Sequence, residues 1–148
     1  MGCCSKSISL ASLFAALADT TRLRLLNLMA GREVCVCHFV EILGQSQPKI
    51  SRHLAYLRNA GIVTARREGK WMHYSICPVA DASASAVLAA SLAALGSDKQ
   101  MQVDRARLDR VCCATHDEES HLFQEGRVPQ VPLPGSGKPQ PSPSVHCR

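Results

Sequence analysis

Apolar positions recur at helical spacing through the first third of the chain. Leu10, Leu13, Phe14 and Leu17 predict a short helix over about 8–18. Asp19 is a good N-cap for a second helix over about 20–30, which carries Leu23, Leu25, Leu26, Leu28 and Met29 and ends at Gly31. A third, over 36–43, stops at Gly44. Ser46 caps a fourth, with Pro48 in its first turn, where a missing N–H costs nothing, and that helix runs to about Asn59. Its inward stripe is Ile50, Leu54 and Leu57; its outward face carries Gln47, Lys49, Ser51, Arg52 and His53.

The period then shortens to two. Residues 62–68 and 71–76 read as strands around a tight turn at Glu68-Gly69-Lys70. After Pro78 an Ala/Ser-rich helix over about 79–95 carries Val87, Leu88, Leu92 and Leu95; its small residues permit close helix–helix approach, which suits a dimer face. A more polar helix follows over about 98–112. The segment 114–148 holds six of the eight prolines with Gly and Ser, and is expected to be a disordered tail.

The length of 148 residues is one domain's worth, and aromatics at 4% leave the core to aliphatic side chains. The charge-free run 82–97 is Ala and Ser and too weakly apolar for a membrane span. The N-terminus lacks the apolar stretch of a signal peptide, and Lys6 stands where an acylation signal wants Ser or Thr, so no membrane partner and a cytoplasmic location are expected. The formal net charge of +5 is localised: residues 45–75 hold Lys49, Arg52, Arg58, Arg66, Arg67 and Lys70 against Glu68, an excess equal to that of the whole chain. Such a footprint suits phosphate contacts with nucleic acid.

Two short helices joined by a tight turn, the second with a basic polar face, make a helix-turn-helix, and the hairpin tipped by Arg66, Arg67 and Lys70 makes a wing. Gln47, Ser51 and Arg52 face base edges in this reading, His53 faces DNA or solvent, and Lys49 and the wing residues hold phosphates. Four motifs in order, Leu17-Ala-Asp-Thr-Thr-Arg-Leu-Arg-Leu-Leu, Glu33-Val-Cys-Val-Cys-His, Ser46-Gln-Pro-Lys-Ile-Ser-Arg-His-Leu-Ala-Tyr-Leu-Arg and Arg67-Glu-Gly-Lys-Trp-Met-His-Tyr, resemble the ArsR/SmtB family of winged-helix repressors, and its arsenic-responsive branch most. The resemblance covers about residues 9–77. It implies a mainly α fold with a small β-hairpin, and a homodimer that binds palindromic operator DNA and lets go when an inducer binds. The expected organisation is a winged helix-turn-helix and dimerisation domain over 1–97, a C-terminal helix with vicinal cysteines over 98–113, and the tail.

Eight cysteines in a reduced, DNA-binding protein read as ligands before disulfides. Trivalent arsenic prefers three thiolates; zinc and cadmium take about four ligands. Cys35 and Cys37 stand at the mouth of the third helix, at a strand-to-helix junction, where thiol pKa values fall and the sulfurs can converge if the backbone adapts; a continuous helix would splay them, so ligand binding is expected to distort the start of that helix. The family places metalloid ligands at this segment. Where the arsenic branch often has a third Cys, Val40 stands here. The missing donor is expected from the vicinal pair Cys112 and Cys113, or else from Cys3 and Cys4, a combination that would suit cadmium or lead. Cys77 reads as a packing residue and Cys147 as a bystander. The zinc branch's Asp-x-His is absent from 79–95; a Cys/His site around His116 and His121 matches no standard finger. His38 reads as a donor beside the thiols or a surface residue, His73 as outward on its strand, and Trp71 as an anchor of the wing.

Enzyme classes lack their motifs. No Cys-x5-Arg anion loop, Cys-x-x-Cys redox pair, phosphate-binding Gly-rich loop or nucleophile elbow is present. The expectation is a repressor released by arsenite or antimonite. A cadmium- or lead-responsive repressor using Cys3, Cys4, Cys35 and Cys37, or a thiol redox-sensing protein, stands as the alternative.

Overall fold

The computed structural model describes the backbone of residues 8–124 and the side chains of residues 8–112. The order is α1 (Leu10–Leu17), α2 (Thr20–Met29), β1 (Val34–Cys35), α3 (Val36–Leu43), α4 (Gln47–Asn59), β2 (Val63–Glu68), β3 (Trp71–Ile76), α5 (Ala82–Leu95) and α6 (Lys99–Gln124). Local chemistry sets most of these boundaries. The Arg22 N–H donates to Asp19 Oδ1 at 2.9 Å and so caps α2. The Ala84 N–H donates to Asp81 Oδ1 at 2.7 Å, which starts α5 at Ala82, three residues later than the apolar spacing predicts. Gly44, at φ 63°, reverses the chain between α3 and α4. Ser46 occupies the N-cap of α4, but its side chain makes no capping bond there.

The three-stranded sheet has the order β1-β3-β2, all antiparallel. Sequence periodicity showed only the β2–β3 hairpin, since two residues are too few to display alternation; β1 is a strand because Val34 and Cys35 pair with Tyr74 and His73. Gly69, at φ 59°, turns the hairpin. One aliphatic core joins the helices to the sheet, with Leu13, Leu25, Leu26, Phe39, Leu54 and Ile62 fully buried. Ile50, Leu54 and Leu57 form the inward stripe of α4, as expected. Trp71 packs against this core and anchors the wing.

The last helix runs to Gln124, twelve residues past the expected end, so its backbone enters the segment read as tail; the rest of that segment lies outside the described residues. It docks on α2 and α3 through polar bonds. Asp104 is fully buried and accepts from Arg24 Nε at 2.6 Å, Arg24 Nη2 at 2.8 Å and Gln100 Nε2 at 3.0 Å. Asn27 Nδ2 donates to the Met101 carbonyl at 2.9 Å, and Arg32 pairs with Asp109 at 2.6 Å. Among the described residues no helix is long and apolar enough to cross a membrane.

Candidate functional site

The outward face of α4 is built as its pattern predicts. Gln47, Lys49 and Arg52 are exposed, and Ser51 is half-buried among them. At 13 residues the helix is about 20 Å long, a length that lies in a B-DNA major groove. His53 departs from the expectation: its Nδ1 lies 3.4 Å from Asp19 Oδ1, so the ring turns back to the N-terminus of α2 and braces the helix instead of facing a groove. The Arg22 guanidinium stacks 4.3 Å from the centroid of the Tyr56 ring, a second brace between α2 and α4.

On the wing, Arg66, Arg67 and Lys70 are all exposed. Arg67 Nε donates to the Gly69 carbonyl at 3.0 Å, and Lys70 Nζ lies 5.2 Å from the centroid of the Trp71 ring. Arg66 is otherwise occupied. Its Nε and Nη2 donate to the two carboxylate oxygens of Glu33 at 3.0 and 2.9 Å, and its Nη1 donates to Glu68 at 2.9 Å. Those carboxylates hold the guanidinium pKa above its ordinary value, and they use the fork that a phosphate contact would need.

The thiol pair sits where strand becomes helix. Cys35 ends β1 and is also the N-cap of α3, with extended backbone at φ −71° and ψ 145°. Cys37 is already inside the helix. This change of conformation between the two brings their sulfurs to 3.0 Å, with Cys37 donating to Cys35. Convergence is thus present without any ligand, and the expected distortion of the helix start is not needed to create it. The bond from Cys37 stabilises the Cys35 thiolate, with smaller help from the backbone N–H groups of Cys37 and Val36, and brings its pKa from 9.0 down to about 7 against the opposing effect of burial. Cys37 moves the other way, because its proton is the one Cys35 uses and because it too is desolvated. The pair therefore holds one proton between two sulfurs near neutral pH.

His73 is buried, not outward. It is the cross-strand partner of both Cys35 and Arg66, and its Nε2 lies 3.9 Å from Glu68. His73 shares its face with exposed Arg66, so the alternation holds, and its burial comes from neighbours on two other strands, Cys35 of β1 and Arg66 of β2, which β3 alone does not show. His38 is also buried rather than on the surface; burial, with a smaller effect of His73, lowers its pKa, opposed by Glu41. Cys77 packs as expected, buried, with its thiol donating to the Gly61 carbonyl at 3.3 Å.

Cys112 is buried on α6 and disulfide-bonded. Cys3, Cys4 and Cys147, and the side chain of Cys113, lie outside the described residues. No three His, Cys, Asp or Glu side chains among the described residues are gathered as a metal site. Two sulfurs this close make a donor pair that suits a soft ion. Glu33, Glu68 and His73 were missed as parts of the site. Their signal is the strand register, which pairs Cys35 with His73 and His73 with Arg66, and no single-strand pattern shows it.

A basic recognition helix, a turn set by a left-handed glycine and a hairpin anchored by an aromatic define a winged-helix DNA-binding regulator. Residues 19–65 match the model described as "Bacterial regulatory protein, arsR family". The arsenical resistance operon repressor of Escherichia coli (strain K12) is 48% identical over 77 residues, 51% of this chain and 66% of that protein. An uncharacterized HTH-type transcriptional regulator of Methanocaldococcus jannaschii is 48% identical over 67 residues, 45% of this chain and 75% of that protein. Reduced HlyU from Vibrio cholerae N16961 superposes with a TM-score of 0.51 at 28% identity, over 60% of this chain and 88% of that one. The chain belongs to the ArsR family of transcriptional regulators. It spans 52–66% of the length of the curated arsenic-resistance regulators it matches first.

Proposed function

We propose that this protein is a homodimeric transcriptional repressor that binds operator DNA through α4 and the wing, and is released when trivalent arsenic or antimony is chelated by Cys35 and Cys37. The observation that carries this reading is the sulfur pair itself: two thiols 3.0 Å apart, one with its pKa lowered to about 7, at the first turn of the helix that packs on α4. Soft metalloid ions select thiolates. Identity to an arsenical resistance operon repressor supports the choice of ion. Dimerisation places two copies of α4 about one DNA turn apart and matches a palindromic operator. Leu10 and Phe14 on α1 are exposed apolar residues beside α5, whose small side chains are mostly exposed, and together they supply the dimer face.

The third thiolate is proposed to be Cys112 or Cys113, presented in reduced protein. The Arg32–Asp109 pair fastens α6 one turn before Cys112 and three residues before Cys35, which brings the two segments alongside each other. The test is fluorescence anisotropy of the reduced protein on its own upstream DNA, titrated with arsenite and separately with cadmium. Release by arsenite, lost in Cys35→Ser or Cys37→Ser, is expected. Loss of release in Cys112→Ser with Cys113→Ser assigns the third donor to α6. Loss only in Cys3→Ser with Cys4→Ser moves it to the N-terminus, and release by cadmium alone overturns the arsenic reading.

A further inference from the structure

Three strands place one residue each on a single rung: Cys35 on β1, His73 on β3 and Arg66 on β2. Directly opposed residues of antiparallel strands share a face, so the thiol centre and the wing's arginine lie on the same side of the sheet with a buried histidine between them. Over that histidine runs an ionic strap. Glu33, two residues before Cys35, grips Arg66 with both carboxylate oxygens at 2.9 and 3.0 Å, and Glu68 holds the third nitrogen at 2.9 Å. The strap crosses β3 and joins the strand that carries a thiol to the strand that carries the wing. Glu68 belongs to β2 itself and only braces the wing internally. Glu33 ties Arg66 to the thiol segment by a side-chain pair, beside the backbone ladder that joins β1 to β3.

We propose that Glu33 is a positioning residue that reports occupancy of the thiol pair to the wing through Arg66. This rests on the ligand-released reading given above. Sulfurs that each bind one ion at about 2.3 Å, at angles between square and tetrahedral, stand about 3.3–3.8 Å apart. Chelation therefore spreads the 3.0 Å pair and shifts the start of β1, next to which Glu33 stands. Bidentate pairs tolerate little misalignment, so the strap opens and the wing strand loses its tie. The wing thus receives the signal by a route separate from the contact of α3 on α4.

The experiment measures the factor by which arsenite weakens operator affinity, in the full-length reduced protein and in Glu33→Gln, Glu33→Asp and Glu68→Gln. Allosteric factors of this kind are about 5–150-fold. Arsenite affinity without DNA is titrated alongside. The expected result is a factor at least about fivefold smaller in Glu33→Gln. It also falls in Glu33→Asp, which keeps the charge and shortens the reach. Arsenite affinity stays close to wild type in both, and Glu68→Gln keeps the wild-type factor. An unchanged factor in both Glu33 variants overturns the proposal, and so does an equal fall in Glu68→Gln, which would make Arg66's charge and not its tie the cause. A wild-type protein that arsenite does not release overturns the function itself and this inference with it.

Discussion

Cys35 and Cys37 act as a pair because a backbone transition lies between them. In a continuous helix, residues two apart splay by about 200°; here Cys35 is extended and Cys37 helical, and one thiol donates to the other. The chemistry of each depends on its neighbour. Removing the donor leaves Cys35 with the opposing effect of burial, so Cys37→Ala is expected to move the Cys35 midpoint up from about 7 toward or beyond its ordinary 9.0. The pH dependence of iodoacetamide alkylation, with the other cysteines replaced by Ser, reads that midpoint. An unmoved midpoint would mean the thiol–thiol bond is not what ionises Cys35. The sign carries to folding: a depressed thiol pKa contributes stability that is full above 9.0 and fades as pH falls through about 7. The raised Cys37 opposes that gain once pH passes its unfolded value.

At the scale of the elements, Gly44 and the face of α4 separate stability from DNA binding. Gly44 is left-handed at φ 63°, and a Cβ built there meets nothing within 4 Å, so the cost of Gly44→Ala is conformational. A loss of about 1–2 kcal/mol is expected in urea unfolding, with Gly44→Asn losing less. Lys49 and Arg52 are exposed and outside the core, so Lys49→Ala and Arg52→Ala should leave the urea midpoint unchanged. Lys49→Ala should weaken binding evenly across DNA sequences and flatten the salt dependence by about one unit of slope. Arg52→Ala should relax preference at one base pair by about 1–3 kcal/mol. A shift in stability with no change in DNA affinity would place these residues outside the interface. This scale was the most legible in the sequence, because Ile50, Leu54 and Leu57 repeat at helical spacing and glycines mark the helix ends. The strand-to-helix junction at Cys35 was legible, but the pairing of β1 was not, since a two-residue strand shows its partner only in the fold, and with it went the burial of His73 and the reach of Glu33.

For the whole molecule, α6 is held by a buried ion pair. Arg24 keeps 17% of its side chain exposed and Asp104 none, so Asp104→Ala strands a largely buried guanidinium. A loss of about 3–5 kcal/mol is expected by denaturant unfolding, largely recovered by replacing both partners with apolar residues. If the single variant unfolds like wild type, α6 is not docked as described. The proposed dimer face makes a second prediction: Phe14, 57% exposed on α1, changed to Glu should give a monomer in sedimentation velocity with operator binding lost, and a dimeric variant would place the interface elsewhere. The sequence reading placed Asp104 only on a polar helix, because a charge that meets its partner 80 residues away leaves no local trace.

The junction at Cys35 has a consequence for how such a regulator changes what it senses. The backbone, extended and then helical, aims any two side chains at positions 35 and 37 toward one point. The scaffold therefore specifies a meeting place and leaves the atoms that meet there to two codons. On the proposed function, oxygen or nitrogen donors in place of the sulfurs would address a harder ion at the same junction. A lineage of such proteins can exchange its input one side chain at a time and keep its output intact.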